Sequence, residues 1–197
     1  MRSFKPIRIF WQDGVSRKQI ELIISSVEYF LKIAGAGDRI KIVYGKSLDL
    51  EEYKYKALGK NRFGKISSLA CLNDLLKINK EISDNYYILV ATRDSFFFRE
   101  DKKYLPAIGW GQSEGGGLVF VGNTADIYDE AFKKNVIAVT LYELKHVFEA
   151  PPKHCKDIKC TMYPSVNSEH TDIENKPFCE TCLRDLRAYF EEANSIL

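Results

Sequence analysis

The residue types that can do chemistry crowd into one stretch, 141–182. It begins with Leu141-Tyr142-Glu143-Leu144-Lys145-His146, continues through His154-Cys155, Cys160 and Met162, and closes with Cys179 and Cys182. Four of the chain's five cysteines lie here. Cys155 and Cys160 enclose four residues, Cys179 and Cys182 enclose two, and eighteen separate the pairs. Two short knuckles across such a loop can set four sulfurs at the corners of a tetrahedron, roughly 2.3 Å from a zinc ion. Such a site is closed to water, and its zinc is structural rather than catalytic. The same spacing leaves open two disulfides or four free thiols.

Glu143 and His146 fill the last four positions of an HExxH motif, in which two histidines one helical turn apart grip zinc and the glutamate acts as general base. Tyr142 stands where the first histidine belongs. On a helix, Tyr142, His146 and Glu149 share one stripe. Val136, Ile137, Leu141, Leu144, Val147 and Phe148 lie on roughly the opposite side, which turns Tyr142 and His146 away from the core toward a cleft or solvent. Taken alone, His146 reads equally as a surface histidine.

Together these residues resemble the archaemetzincin family, a branch of the metzincin zinc metallopeptidases. Its pattern is HExxHxxGxxHC, then CxM, a longer loop and CxxC. The chain matches at Glu143, His146, His154-Cys155, Cys160, Met162, Cys179 and Cys182. It departs where Tyr142 replaces the first histidine, where Glu149 replaces the turn glycine, and where two residues are inserted around Ala150-Pro151-Pro152. The resemblance implies Glu143 as general base, His146 and His154 as two of three catalytic zinc ligands, and Met162 as the Met-turn residue beneath the metal. It implies the four cysteines as ligands of a second, structural zinc. It also implies a cleft whose upper rim, the strand after Gly115-Gly116-Gly117, takes an extended peptide.

The departures fall on the catalytic site and spare the cysteines. A phenol must lose a proton near pH 10 to bind zinc well, a cost that imidazole avoids. The expectation is therefore an archaemetzincin-like protein with one structural zinc and an impaired catalytic centre that still binds peptide or protein. The alternative is an active peptidase in which Glu149 or Tyr142 supplies the missing ligand. Glutamate is strained in the left-handed geometry that glycine allows, so the chain is expected to leave the helix differently.

The remaining features set bounds. At 197 residues the chain fits one domain, 1–197, with the cysteine subregion at 155–182. Its net charge of +2, from 29 basic and 27 acidic side chains, is too balanced to argue for nucleic acid. Lys153, Lys156 and Lys159 beside the first knuckle read as solvated lysines rather than an interaction patch. No apolar run is long enough to span a bilayer, no leader pattern precedes Trp11, and zinc knuckles fit a reducing cytoplasm. The triple glycine opens a strand and not a helix, which argues against a phosphate loop.

The elements that must position the site follow from periodicity. Strands are predicted at Pro6 to Trp11, Arg39 to Tyr44, Tyr86 to Ala91 and Leu118 to Val121. Helices are predicted at 16–34, Lys65 to Ile82 (with Cys71 in its core face), 128–149 and Cys179 to Ala193. Residues 45–64 read as an extended connection and Asp94 to Leu105 as irregular. Pro151 and Pro152 are expected to stop the site helix. The fold class is α/β: a mixed twisted sheet with long helices, as in metzincins, and a C-terminal cysteine loop plus helix.

Overall fold

The computed structural model describes residues 4–51, 66–67, 84–94, 96–100, 103–107, 109–112, 115–122, 126–151, 154–164 and 170–192. Strand β1 (Ile7–Gln12) leads into α1 (Arg17–Ile33) and back into β2 (Ile42–Leu48), a parallel crossover. A capping box fixes the start of α1: the Ser16 side chain accepts from the Gln19 backbone N–H, and the Gln19 side chain accepts from the Ser16 N–H. After β3 (Ile66–Ser67) come β4 (Tyr87–Thr92), β5 (Phe96–Glu100), β6 (Lys103–Ala107), β7 (Gly109–Gln112) and β8 (Gly116–Phe120). A short 3-10 turn (Asp126–Tyr128) precedes α2 (Glu130–Val147), and α3 (Glu180–Glu192) follows the cysteine loop.

The main sheet has the order β2-β1-β4-β8-β7. Its first four strands are parallel, and β7 runs antiparallel to β8 at the end. Ile7 and Ile9 of β1, Leu89 and Ala91 of β4 and Val119 of β8 belong to the core shared with α1 and α2. Alternate residues Ile88, Val90 and Leu118 are buried as well. Burial of both faces is why these strands read as continuous apolar runs.

Several expectations change. The segment predicted irregular is a hairpin, with Phe96 opposite Ala107 and Glu100 opposite Lys103. A run of phenylalanines lacks alternation but suits strands, and Pro106 is tolerated because β6 lies at the end of its sheet. The predicted helix from Lys65 to Ile82, with Cys71, lies outside the described residues except for 66–67, which form a strand. β2 begins later than predicted and extends to Leu48. The strand after the glycines is interior, so the rim of the sheet is β7 and not β8.

The site helix also ends differently. It stops at Val147, before either proline. Glu149 takes φ 57°, the left-handed conformation it was expected to avoid. The Glu149 N–H donates to His146 O and the Ala150 N–H to Lys145 O, both at 3.0 Å, which closes a Schellman motif. Phe148 holds this end down: its ring stacks on Phe30 at 5.9 Å and meets Phe190 at 5.2 Å and Tyr87 at 4.6 Å.

Candidate active site and cysteine cluster

Helix α2 places Tyr142 and His146 one turn apart, both half-buried, with ring centroids 4.7 Å apart. The chain beyond Ala150 returns His154 to the same place. The His146 and His154 rings are 5.5 Å apart, and the Tyr142 hydroxyl lies 3.1 Å from His154 Nδ1. The sequence-predicted trio is thus brought together, with a phenol bridging to one imidazole. Burial first, then the Glu143 carboxylate, push the Tyr142 phenol up to about 12. Glu149 lies exposed just past the helix end.

Glu143 sits one residue from Tyr142 but not in the open. It is 5% exposed, beneath β7. The Gly111 backbone N–H donates to its carboxylate, yet burial prevails and pushes the carboxyl up to about 8. Gly109 and Gly111 share the strand face that meets the helix. A Cβ on Gly111 would lie 2.8 Å from Glu143 Oε2 and 2.9 Å from His146 Cβ, and one on Gly109 would collide with Glu143 Oε1. Glycine at both positions is what lets β7 lie directly on the helix. The Gly-x-Gly spacing was visible in the sequence, but its partner across the fold was not.

The cysteines form the second constellation. All four are free thiols, and their sulfurs lie within 4.8 Å of one another. Among the described residues, no other group of three or more His, Cys, Asp or Glu side chains meets that criterion. Cys155 Sγ and Cys179 Sγ are 3.7 Å apart. Two corners of a zinc tetrathiolate, with bonds of roughly 2.3 Å, stand about 3.8 Å apart.

The backbone is arranged around the sulfurs. The Asp157 N–H points at Cys155 Sγ and the Cys179 N–H at Cys160 Sγ, each at 3.4 Å. Met162, fully buried in the core, donates its N–H to the Cys160 thiol, and its carbonyl accepts from the Cys155 N–H at 2.8 Å. Thr161 joins the knuckles, since both its N–H and its hydroxyl donate to Pro177 O.

Burial pushes the Cys160 thiol up to about 11 and raises Cys182 as well. At Cys179 burial also acts upward, but donation from the Cys182 N–H and the neighbouring thiols outweighs it and lowers the pKa. A divalent cation removes the cost of ionising such a set, so the donors fit zinc. Beside them lies Lys145, a residue the sequence reading passed over, which is 1% exposed. Of the lysines near the first knuckle, Lys156 and Lys159 are exposed and Lys153 lies outside the described residues. Among the described residues, no helix is long and apolar enough to cross a membrane.

Comparison with known proteins places this geometry in context. The profile of peptidase family M54 matches residues 20–188. The archaemetzincin of Pyrococcus horikoshii is 37% identical over 67 residues, a match spanning 34% of this chain and 34% of that protein. The crystal structure of archaemetzincin from Methanopyrus kandleri superposes with a TM-score of 0.67 at 18% identity, covering 96% of this chain and 97% of that one. Archaemetzincin from Archaeoglobus fulgidus, crystallised with malonate, gives 0.61 at 16% identity, covering 91% and 99%. Metalloproteinase-II from Bacteroides fragilis gives 0.55 at 10% identity, covering 95% and 53%. These likenesses carry the fold.

Proposed function

Since the chain belongs to peptidase family M54, the archaemetzincins, we propose that it keeps the family's scaffold and structural zinc but not a working peptidase centre, and that it binds peptides instead of cutting them. One observation carries this reading: the Tyr142 hydroxyl takes up His154 Nδ1 at 3.1 Å, where a third nitrogen ligand is needed. The phenol is held protonated well above neutral pH, so it is a poor replacement for imidazole. The centre therefore does not fit a three-ligand catalytic zinc, and no hydrolytic step is assigned to it. Glu143, the family's general base, is buried beneath β7 at 5% exposure.

The cysteine cluster does fit its metal. Cys155, Cys160, Cys179 and Cys182 hold a zinc that ties the loop after α2 to the start of α3 and supplies only structure. Strand β7 ends the sheet, and an extended peptide adds to such an edge through main-chain hydrogen bonds.

Metal analysis of the purified protein tests the reading. One zinc per chain supports it, and two zincs with chelator-sensitive cleavage of a peptide substrate overturn it. The second reading, an active zinc peptidase with an unusual ligand set, draws on the His146 and His154 rings standing 5.5 Å apart beside a retained Glu143. In that case a bound zinc would activate water, and Glu143→Ala would abolish cleavage. Cleavage that survives this change excludes the mechanism.

A further inference from the structure

Lys145 lies on the turn of α2 that carries His146, yet it does not reach solvent. It is 1% exposed, among the largest fully buried side chains, and its Nζ has no hydrogen-bond partner. An ammonium buried without a partner is strongly unfavourable. Such a group persists where something compensates it. Burial acts first and lowers its pKa, and against burial Cys182, Cys160, Asp185 and Cys155 favour the charged form; Lys145 in turn acts on Cys182. Asp185 is engaged by the Arg184 guanidinium at 3.1 Å. Three of the four groups are thiols of the cluster, which makes it the main source of negative charge for the ammonium.

Four thiolates around a divalent ion leave an excess of negative charge, and here it would sit in the core, where Cys160 and Cys182 are 0% and 1% exposed. That charge needs compensation from inside the protein. We propose that Lys145 is the internal counter-cation of the tetrathiolate zinc, its ammonium offsetting the negative charge on the sulfurs. The site helix thus becomes part of the metal's outer shell. Lys145 O also accepts the closing bond of the helix cap from the Ala150 N–H. One residue therefore joins the zinc cluster, the helix end and the turn leading to His154.

This inference rests on the reading of the cysteines as a zinc site, and the two can fail separately. A chain that binds no zinc removes that reading. Zinc binding unchanged by loss of the charge removes only the role of Lys145. The test is competition for zinc against a chromogenic chelator, with Lys145→Met, which keeps length and apolar contacts, and Lys145→Arg, which keeps the charge. Partners of metal ligands typically contribute about 10- to 100-fold in affinity. Lys145→Met should weaken zinc by that factor, and Lys145→Arg should stay near the parent. Equal affinity in Lys145→Met overturns the proposal. If Lys145→Met does not fold, the unaltered protein decides. Labelled at lysine nitrogen, it should show one ammonium signal shielded from solvent exchange that moves when cadmium replaces zinc. A spectrum in which no ammonium signal responds to the metal overturns the proposal.

Discussion

The hydroxyl of Tyr142 and Nδ1 of His154 stand 3.1 Å apart across the end of α2, so a side-chain hydrogen bond occupies the position where the family resemblance calls for metal coordination. The His146 ring lies 4.7 Å from the Tyr142 ring and 5.5 Å from the His154 ring. The bond ties Tyr142 to His154, and the His146 ring packs beside both.

Restoring the missing imidazole should reverse that arrangement. Tyr142→His offers a neutral nitrogen in place of a phenol raised to about 12, and imidazole is a far better zinc ligand at neutral pH. The variant should retain one more zinc per chain than the parent after dialysis. Tyr142→Phe, which only deletes the hydroxyl, should retain none beyond the parent. Elemental analysis of the three proteins reads the outcome. If Tyr142→His shows no gain, the residue at position 142 does not decide whether a second metal binds.

Glu143 gives the protein a pH signature. Its carboxyl titrates at about 8 in the folded chain against an ordinary value of 4.5. Below the ordinary value both states are protonated and the group is neutral to stability. As pH rises from about 4.5 to about 8 the unfolded chain releases its proton and the folded chain holds on, so stability falls. Above that window the full cost applies, roughly 5 kcal/mol. Glu143→Gln should therefore flatten the dependence of the urea midpoint across this range and be the more stable protein on its alkaline side. Parallel profiles for the two proteins would refute the burial argument.

The parts of this structure that depend on near neighbours in sequence were legible there. Cysteine spacing defined the cluster, apolar periodicity defined α1 and α2, and Val136, Leu141, Leu144 and Val147 are buried as that pattern requires. What could not be read depends on distant strands. Nothing beside Glu143 in the chain announces that Gly109 and Gly111 will close over it. Lys145 looks like any polar helix position until the cysteine loop folds against it. The hairpin of β5 and β6 was hidden because Phe96, Phe97 and Phe98 show no alternation.

Glu149 carries a cost that can be measured. Its φ of 57° is the left-handed conformation, unfavourable for a residue with a Cβ by roughly 1–2 kcal/mol. Glycine removes that strain but enlarges the freedom of the unfolded chain, which offsets part of the gain. Glu149→Gly should stabilise the protein by about 1 kcal/mol in urea denaturation. Glu149→Ala, which keeps the Cβ, should give no such gain. Equal stability of the two variants would show that the left-handed cap carries no strain.

The contact between β7 and α2 is tight enough for a single methyl group to disturb it. On Gly111 a Cβ would lie 2.8 Å from Glu143 Oε2 and 2.9 Å from the Glu143 carbonyl oxygen, and the helix backbone cannot step aside. Gly111→Ala should destabilise the chain by about 1–3 kcal/mol, the usual cost of overpacking. At Gly109 the colliding atoms belong to the side chains of Glu143 and Val139, so part of that clash can be removed. Glu143→Ala should relieve Gly109→Ala, and the double variant should be more stable than the sum of the single losses by about 1 kcal/mol. Gly37→Ala is the control, because its nearest neighbour would be Lys32 Cα at 4.0 Å. Strict additivity of Gly109→Ala and Glu143→Ala would mean that the strand does not rest on the glutamate.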